Sequence, residues 1–231
     1  MSQAQPSAAT TQTADALQRY YRFHSTIYDA SRWSFLFGRR RLGRLLTRYA
    51  APERVLDVGC GTGENIAQLC RLYPRAEFVG VDLSPAMLQV AERKLKSQRH
   101  RIQWLCQLYD RPIADDQPFD LVVFSYSLSM MNPGWDTALR AAALDLAPDG
   151  WLAVVDFDCS RWRCFQRWMA LNHVRMEGHL LPTLRAACDP WCEERHAAHA
   201  GLWQYFIFIG SKHKPAAVEG YSTLGFGGEQ D

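Results

Sequence analysis

The sequence predicts an α/β fold: a mostly parallel sheet flanked by helices, its last strand antiparallel, with a helical cap on the N-terminal side. Three observations lead there. From Pro52 onward, short apolar runs alternate with helix-periodic stretches, the mark of parallel strands joined by right-handed crossovers. A glycine-rich turn stands where the first of those runs gives way to the first helix. The chain is 231 residues long and 48% apolar, enough for one domain with its own core. Its 8 Trp, 9 Tyr and 11 Phe exclude disorder over most of its length.

The elements follow in order. Residues 1–13 are small and polar and read as a disordered leader without a secretory apolar segment. A helical cap is expected over 14–50. Its first helix carries Leu17, Tyr20, Tyr21, His24, Ile27 and Tyr28 on one face, and its second, near 39–50, carries Leu42, Leu45, Leu46 and Tyr49. The main domain is expected over 51–210. Strands are read at Arg54–Val58, Glu77–Val81, Ile102–Cys106, Phe119–Ser125, Trp151–Phe157 and Trp203–Ile209, with a weaker one near 191–197, which lacks β-branched residues. Helices are read at 64–72, from Pro85 to about Lys96, at 135–147 and at about 161–177. A polar, glycine-rich tail over 211–231 is expected to be flexible.

Charge is distributed unevenly. Eight arginines and two acids fall in the first 50 residues of a chain whose net charge is only +2. Such a segment seeks an anionic surface. No recognisable nucleic-acid module accompanies it, so no nucleic-acid partner is expected. Seven cysteines without a CxxC pair fit free thiols in a reducing cytoplasm. Cys188, Cys192, His196 and His199 are grouped, but their spacing matches no zinc module, and no metal is expected.

The most informative run is Val55-Leu56-Asp57-Val58-Gly59-Cys60-Gly61-Thr62-Gly63. Glycines at a strand-to-helix turn let the backbone approach a ligand. Asp82 ends the second strand, where a doubly wound fold holds ribose hydroxyls. The spacing departs from the dinucleotide fingerprint, and Glu64 at the helix start disfavours a pyrophosphate. The run resembles motif I of the class I S-adenosylmethionine (SAM) methyltransferases, over about residues 53–157. That resemblance implies a Rossmann-like sheet and SAM as cofactor. It places Asp57, Gly59, Gly61 and Gly63 beside the methionine part, Asp82 on the ribose and Leu83 against adenine. Ser125, ending the fourth strand, belongs to the same set. Where many members carry an adenine-binding acid after strand three, this chain has Gln107-Leu108-Tyr109-Asp110, and Asp110 is the candidate substitute.

The N-terminal run from Tyr20 to Gly38 is similar to that of the betaine-lipid enzymes, the diacylglyceryl homoserine N-methyltransferases. Ser125-Tyr126-Ser127-Leu128-Ser129-Met130 and Glu177-Gly178-His179-Leu180-Leu181-Pro182 extend the likeness to about 15–210. It implies successive N-methylation of a lipid headgroup amine, by a cytoplasmic enzyme peripheral to the inner face of the membrane. It also implies functional coupling to the enzyme that makes the homoserine lipid. Methyl transfer to an amine needs alignment, a proton acceptor while N–H remains, and π faces for the product cation. Tyr21, His24 and Tyr28 are therefore the catalytic candidates. Tyr20, Arg32, Trp33, Tyr126, Arg175 and His179 are the substrate-side candidates, the arginines for the homoserine carboxylate. Arg39, Arg40, Arg41, Arg44 and Arg48 are expected to face anionic lipid. Phosphatidylethanolamine, a soluble amine or a quinone precursor are the rival acceptors, and a SAM-binding module without catalysis is a rival of another class.

Overall fold

The computed structural model describes residues 36–171 and 174–211. The leader, the first part of the cap and the tail beyond Ser211 lie outside them, as do Tyr20, Tyr21, His24, Tyr28, Arg32 and Trp33.

Seven strands form one sheet: β1 Arg54–Val58, β2 Glu77–Asp82, β3 Ile102–Cys106, β4 Phe119–Ser125, β5 Leu146–Phe157, β6 Asp189–Ala198 and β7 Trp203–Ser211. Their order is β3-β2-β1-β4-β5-β7-β6. The first five run parallel, and β7 is antiparallel to both β5 and β6. The helices are α1 Arg39–Tyr49, α2 Glu64–Leu72, α3 Pro85–Lys94, α4 Trp135–Asp145, α5 Arg163–Leu171 and α6 Leu180–Ala187.

Strand alternation sorts the core into two layers. Val55, Leu121, Val123, Val155 and Ile207 face α1 and α2, while Leu56, Val58, Val122, Phe124, Val154 and Phe206 face α4 and α6. On α1 the apolar stripe predicted from spacing is the buried one: Leu42, Leu45 and Leu46 are covered. Fully burying a leucine contributes about 1.5–3 kcal/mol. Gly43 lets α1 approach α2 closely: a Cβ there would stand 1.9 Å from Nε2 of Gln68, which would have to move aside.

One expectation is corrected and one extended. The helix read over 161–177 ends at Leu171, and a separate helix, α6, follows Gly178, whose φ is 68°. Pro182 hid α6 from the sequence reading. It lies in the first turn, where its missing N–H has no intrahelical partner to lose. The weak strand is a ten-residue edge strand, β6, with a bulge at Pro190/Cys192. Proline is tolerated at such a place, and pairing with β7 replaces the missing β-branched propensity. Ionic contacts then hold this edge. Arg41 of α1 grips Glu194 with both arms, one at 2.7 Å, and Arg185 of α6 grips Glu193 at 2.5 and 2.7 Å. Arg41 is thus used inside the fold rather than toward lipid.

One buried acid fixes a wall of the later site. Asp145, ending α4, accepts from the Tyr109 hydroxyl at 2.6 Å and from the Ile113 and Ala114 amides at 2.8 and 2.7 Å. It is fully buried. Asp145→Ala strands those donors and should destabilise the protein by about 3–5 kcal/mol. Urea unfolding followed by tryptophan fluorescence measures this, and a loss under about 1 kcal/mol would contradict the role assigned to Asp145.

Candidate active site

Because β1, β2, β4 and β5 are parallel, their carboxyl ends meet along one edge of the sheet. The glycine turn leaves β1 there. The amides of Gly59 and Cys60 donate to the Val81 carbonyl at 2.8 and 3.0 Å, tying the turn to the end of β2. Gly59, Gly61 and Gly63 all have positive φ. A Cβ on Gly59 would stand 2.5 Å from the Ser127 Cβ, so only glycine lets the loop after β4 approach. Ser127 completes that approach by donating to the Val58 carbonyl at 2.7 Å.

Asp82 stands at the end of β2. Its Oδ2 accepts from the Gly61 amide and its Oδ1 from the Ser84 amide, both at 2.8 Å. A carboxylate accepts about four hydrogen bonds, so this anchoring is compatible with holding ribose hydroxyls as well. Beside it opens a cavity of about 350 Å³. It is lined by Gly59, Asp82, Leu83 and Met87, by Gln107 to Asp110, and by Tyr126, Ser127 and Met130 to Gly134.

Asp57 is buried beneath the turn. Its Oδ1 accepts from Asn65 Nδ2 at 3.0 Å, whereas its Oδ2 has no hydrogen-bond partner. Burial pushes its pKa up to about 6, opposed by Asn65 and by the nearby Arg39 charge. A buried half-satisfied carboxylate costs free energy unless a cation or donor reaches it.

The sequence-predicted residues divide. Gly59, Asp82, Leu83 and Asp110 are brought together around the cavity, Asp110 on its solvent side, while Gly61 is tied to Asp82 through its amide and Asp57 lies buried beneath the turn. Gly63 caps α2, where a Cβ would crowd Ala91 and Trp104, and does not line the cavity. Ser125 also lies off the cavity. Its hydroxyl accepts from Arg39 Nε at 2.8 Å and its carbonyl from Arg39 Nη2 at 3.4 Å. That corrects the lipid-facing expectation for Arg39, which in addition lies 5.9 Å from the Tyr126 ring centroid. Tyr126 is in the wall, but its hydroxyl donates to the Phe37 carbonyl at 2.7 Å, fastening the segment before α1. Arg175 pairs with Glu177 at 2.5 Å, so its guanidinium is already engaged. His179 packs edge-on against Trp135 at 4.9 Å, and both of its ring nitrogens are buried without a partner. Burial and the Arg175 charge lower its pKa, against a smaller opposing effect of Glu177. Glu64 pairs with Lys94 at 2.6 Å, so its charge is compensated and gives little argument against a phosphate.

Sequence reasoning missed Asn65, Ser127, Met131, Asn132 and Thr137. Asn132-Pro133-Gly134 was visible as a turn signal, but nothing in the pattern says that the turn closes on a cavity.

Comparisons with known proteins agree with this geometry. A family model described as a methyltransferase domain matches residues 55–150. A trans-aconitate 2-methyltransferase of Methylobacterium nodulans is 35% identical over 105 residues, 46% of this chain and 38% of that protein. A ubiquinone/menaquinone biosynthesis C-methyltransferase of Syntrophotalea carbinolica is 31% identical over 152 residues, 61% of this chain and 63% of that protein. In each, the match spans less than two thirds of the relative's length. The crystal structure of a Burkholderia thailandensis 1,6-didemethyltoxoflavin-N1-methyltransferase, with S-adenosylhomocysteine bound, superposes with TM-score 0.66 at 18% identity. It covers 93% of this chain and 94% of that one.

The family match identifies residues 55–150 as a methyltransferase domain, and the sheet order with its glycine turn is that of the class I SAM-dependent methyltransferases. The domain's cofactor is S-adenosyl-L-methionine. The residues fit that group: the glycine cradle admits backbone contact, Asp82 would hold the ribose, Leu83 and Met87 would flank adenine, and the orphaned Asp57 oxygen would meet the cationic methionine end.

Two outcomes follow. Asp82→Ala should weaken SAM at least about tenfold, one lost charged hydrogen bond being worth roughly 1.5–3 kcal/mol. The ionised form of Asp57 is the one that holds a cation. SAM affinity should therefore be full above pH 6 and fall, by up to about tenfold per pH unit, below it. Without cofactor the sign reverses. A raised folded-state pKa makes this group's contribution to stability largest below about pH 4, and it is lost as pH rises through about 6. Calorimetric titration between pH 5 and 8 tests both sites. A pH profile that Asp57→Asn leaves unchanged would assign the dependence elsewhere.

Proposed function

We propose that this chain transfers methyl groups successively to the amine of a lipid headgroup, diacylglyceryl homoserine, at a membrane surface. When bound, SAM supplies an electrophilic methyl on a sulfonium centre. The protein's part is to align the acceptor, exclude water and take a proton from the amine.

The observation that carries an amine acceptor is His179. Both of its ring nitrogens are buried without a hydrogen-bond partner, and it packs against Trp135, the residue that follows the Asn132–Gly134 part of the cavity lining. An unpartnered imidazole nitrogen can accept a proton, and the Tyr109 and Tyr126 rings in the lining favour a cationic product. Tyr20, Tyr21, His24, Tyr28, Arg32 and Trp33, outside the described residues, are the other acceptor-side candidates in this reading. The N-terminal run carrying them is the part of the chain that resembles the betaine-lipid enzymes. The relatives' names alone span carbon and nitrogen acceptors and so do not select one. The arginines of α1 that stay exposed and unpaired among the described residues are Arg40, Arg44 and Arg48; they supply attraction to anionic lipid. No helix of the described residues is long and apolar enough to cross a membrane.

Purified protein given the un-, mono- and dimethylated homoserine lipids in micelles should yield the trimethylated betaine. Tyr28→Phe should lower turnover while SAM affinity stays within about threefold. His24→Ala and His179→Ala separate the proton acceptor from an orienting residue. Loss of the acceptor should slow the first two transfers by about 10² and spare the third, since a neutral tertiary amine has no N–H to lose. Methylation of a quinone precursor or a soluble amine, with none of the lipids modified, would refute the lipid assignment.

A further inference from the structure

Helix α5 is nearly bare. Of its nine residues only Met169 is buried, and Phe165, stacked 5.5 Å from Trp203, is the second foothold. Its outer face and the residue before it expose large apolar groups: Trp162 is 59% exposed, Trp168 50% and Leu171 77%. Few other large apolar side chains of the described residues are as open. Cys164, Trp168 and Leu171 share one helical stripe, at i, i+4 and i+7. Arg161, Arg163 and Arg167 flank that stripe. All three are exposed, and none makes an ion pair among the described residues. From 161 to 171 there is no acid.

We propose that α5 is a docking helix that lies in the interface of an anionic phospholipid bilayer. The composition is that of an interfacial helix: tryptophan and leucine enter the headgroup boundary, and arginines beside them meet lipid phosphates. Charge complementarity selects this occupant over a neutral apolar partner, because three uncompensated guanidinium groups would resist burial against protein.

Position supports the same assignment. β5 leads into α5 from its carboxyl end, and Val155 near that end pairs in register with Ser125 at the end of β4. The helix therefore sits on the edge of the sheet that carries the cavity, where a headgroup could reach the site with its chains still in the bilayer. The arginines of α1 are arranged otherwise. α1 begins at that edge, with Arg39 on Ser125, and ends at the opposite one, with Tyr49 beside Trp151, so its arginines are spread along the sheet. They can attract a membrane but cannot all lie in its plane. The inference rests on the membrane-surface part of the proposed function and not on the identity of the amine.

Sedimentation with phosphatidylcholine vesicles, with and without phosphatidylglycerol, tests it on the full chain. The parent should bind the anionic vesicles, less so at high salt. Trp162→Ser/Trp168→Ser/Leu171→Ser and, separately, Arg163→Gln/Arg167→Gln should each weaken binding at least about tenfold. Thermal midpoints should stay within about 2 °C of the parent, as expected for surface positions. Three results would overturn the inference. The apolar variant could pellet as well as the parent. It could lose several degrees of thermal stability, which would mean that the chain's own residues cover the face. Or the parent could form a dimer that the apolar variant dissolves, which would assign the face to a second copy. A chain that methylates homoserine lipid in micelles yet ignores vesicles loses this inference and keeps the proposed activity. One that docks but methylates no lipid amine does the reverse.

Discussion

The carboxylate of Asp156 holds the active edge together. It is wholly buried at the end of β5, and it accepts from the Ser129 amide at 3.0 Å, the Ser129 hydroxyl at 2.5 Å and its neighbour's amide at 2.8 Å. Ser129 passes that restraint on. Its carbonyl accepts from Asn132 Nδ2 at 2.6 Å and from the Arg175 amide at 2.9 Å. One buried acid thus positions the cavity loop, the Asn132 turn and the segment that carries His179. Burial raises its pKa to about 6, and the hydrogen bonds keep the rise from going further. A neutral side chain could not collect so many donors in so dry a place.

Asp145 does for the loop after β3 what Asp156 does for the loop after β4. Between them the two acids fix the loops after β3 and β4 that line the cavity together with Gly59 and Asp82. The site residues themselves are left less satisfied. Asp57 keeps an unpartnered oxygen and His179 two unpartnered nitrogens. Asp57, beneath the glycine turn, thereby keeps hydrogen-bonding capacity that a bound ligand could use.

The arginines show how a charge pattern in one dimension divides in three. A single basic stretch suggested a single anionic partner. In the fold, Arg39 secures the end of β4, Arg41 secures the edge strand, and Arg40, Arg44 and Arg48 remain outside. A second basic group, on α5, is separated from the first by more than a hundred residues and lies at the edge that carries the cavity. Its neighbours Trp162 and Trp168 could pass for ordinary core aromatics until the fold showed them open to solvent.

The sequence by itself determined the parallel sheet, the place of the glycine turn and the acid that ends β2. These depend on local period, on glycine's access to positive φ and on a strand-to-helix junction, all properties of neighbouring residues. It also marked the buried face of α1, since i, i+3 and i+4 spacing is local. What only the tertiary structure decided involves residues far apart in the chain. Ser125 belongs to Arg39, Tyr126 to the Phe37 carbonyl, and Arg175 to Glu177 and the Ser129 loop. The edge strand β6 exists because β7 pairs with it along its length, and not through its own propensity. A hydroxyl or a guanidinium carries no sign of whether it will meet a ligand or the protein. The choice is made by which backbone the fold brings within 3 Å, and that is a property of the whole chain.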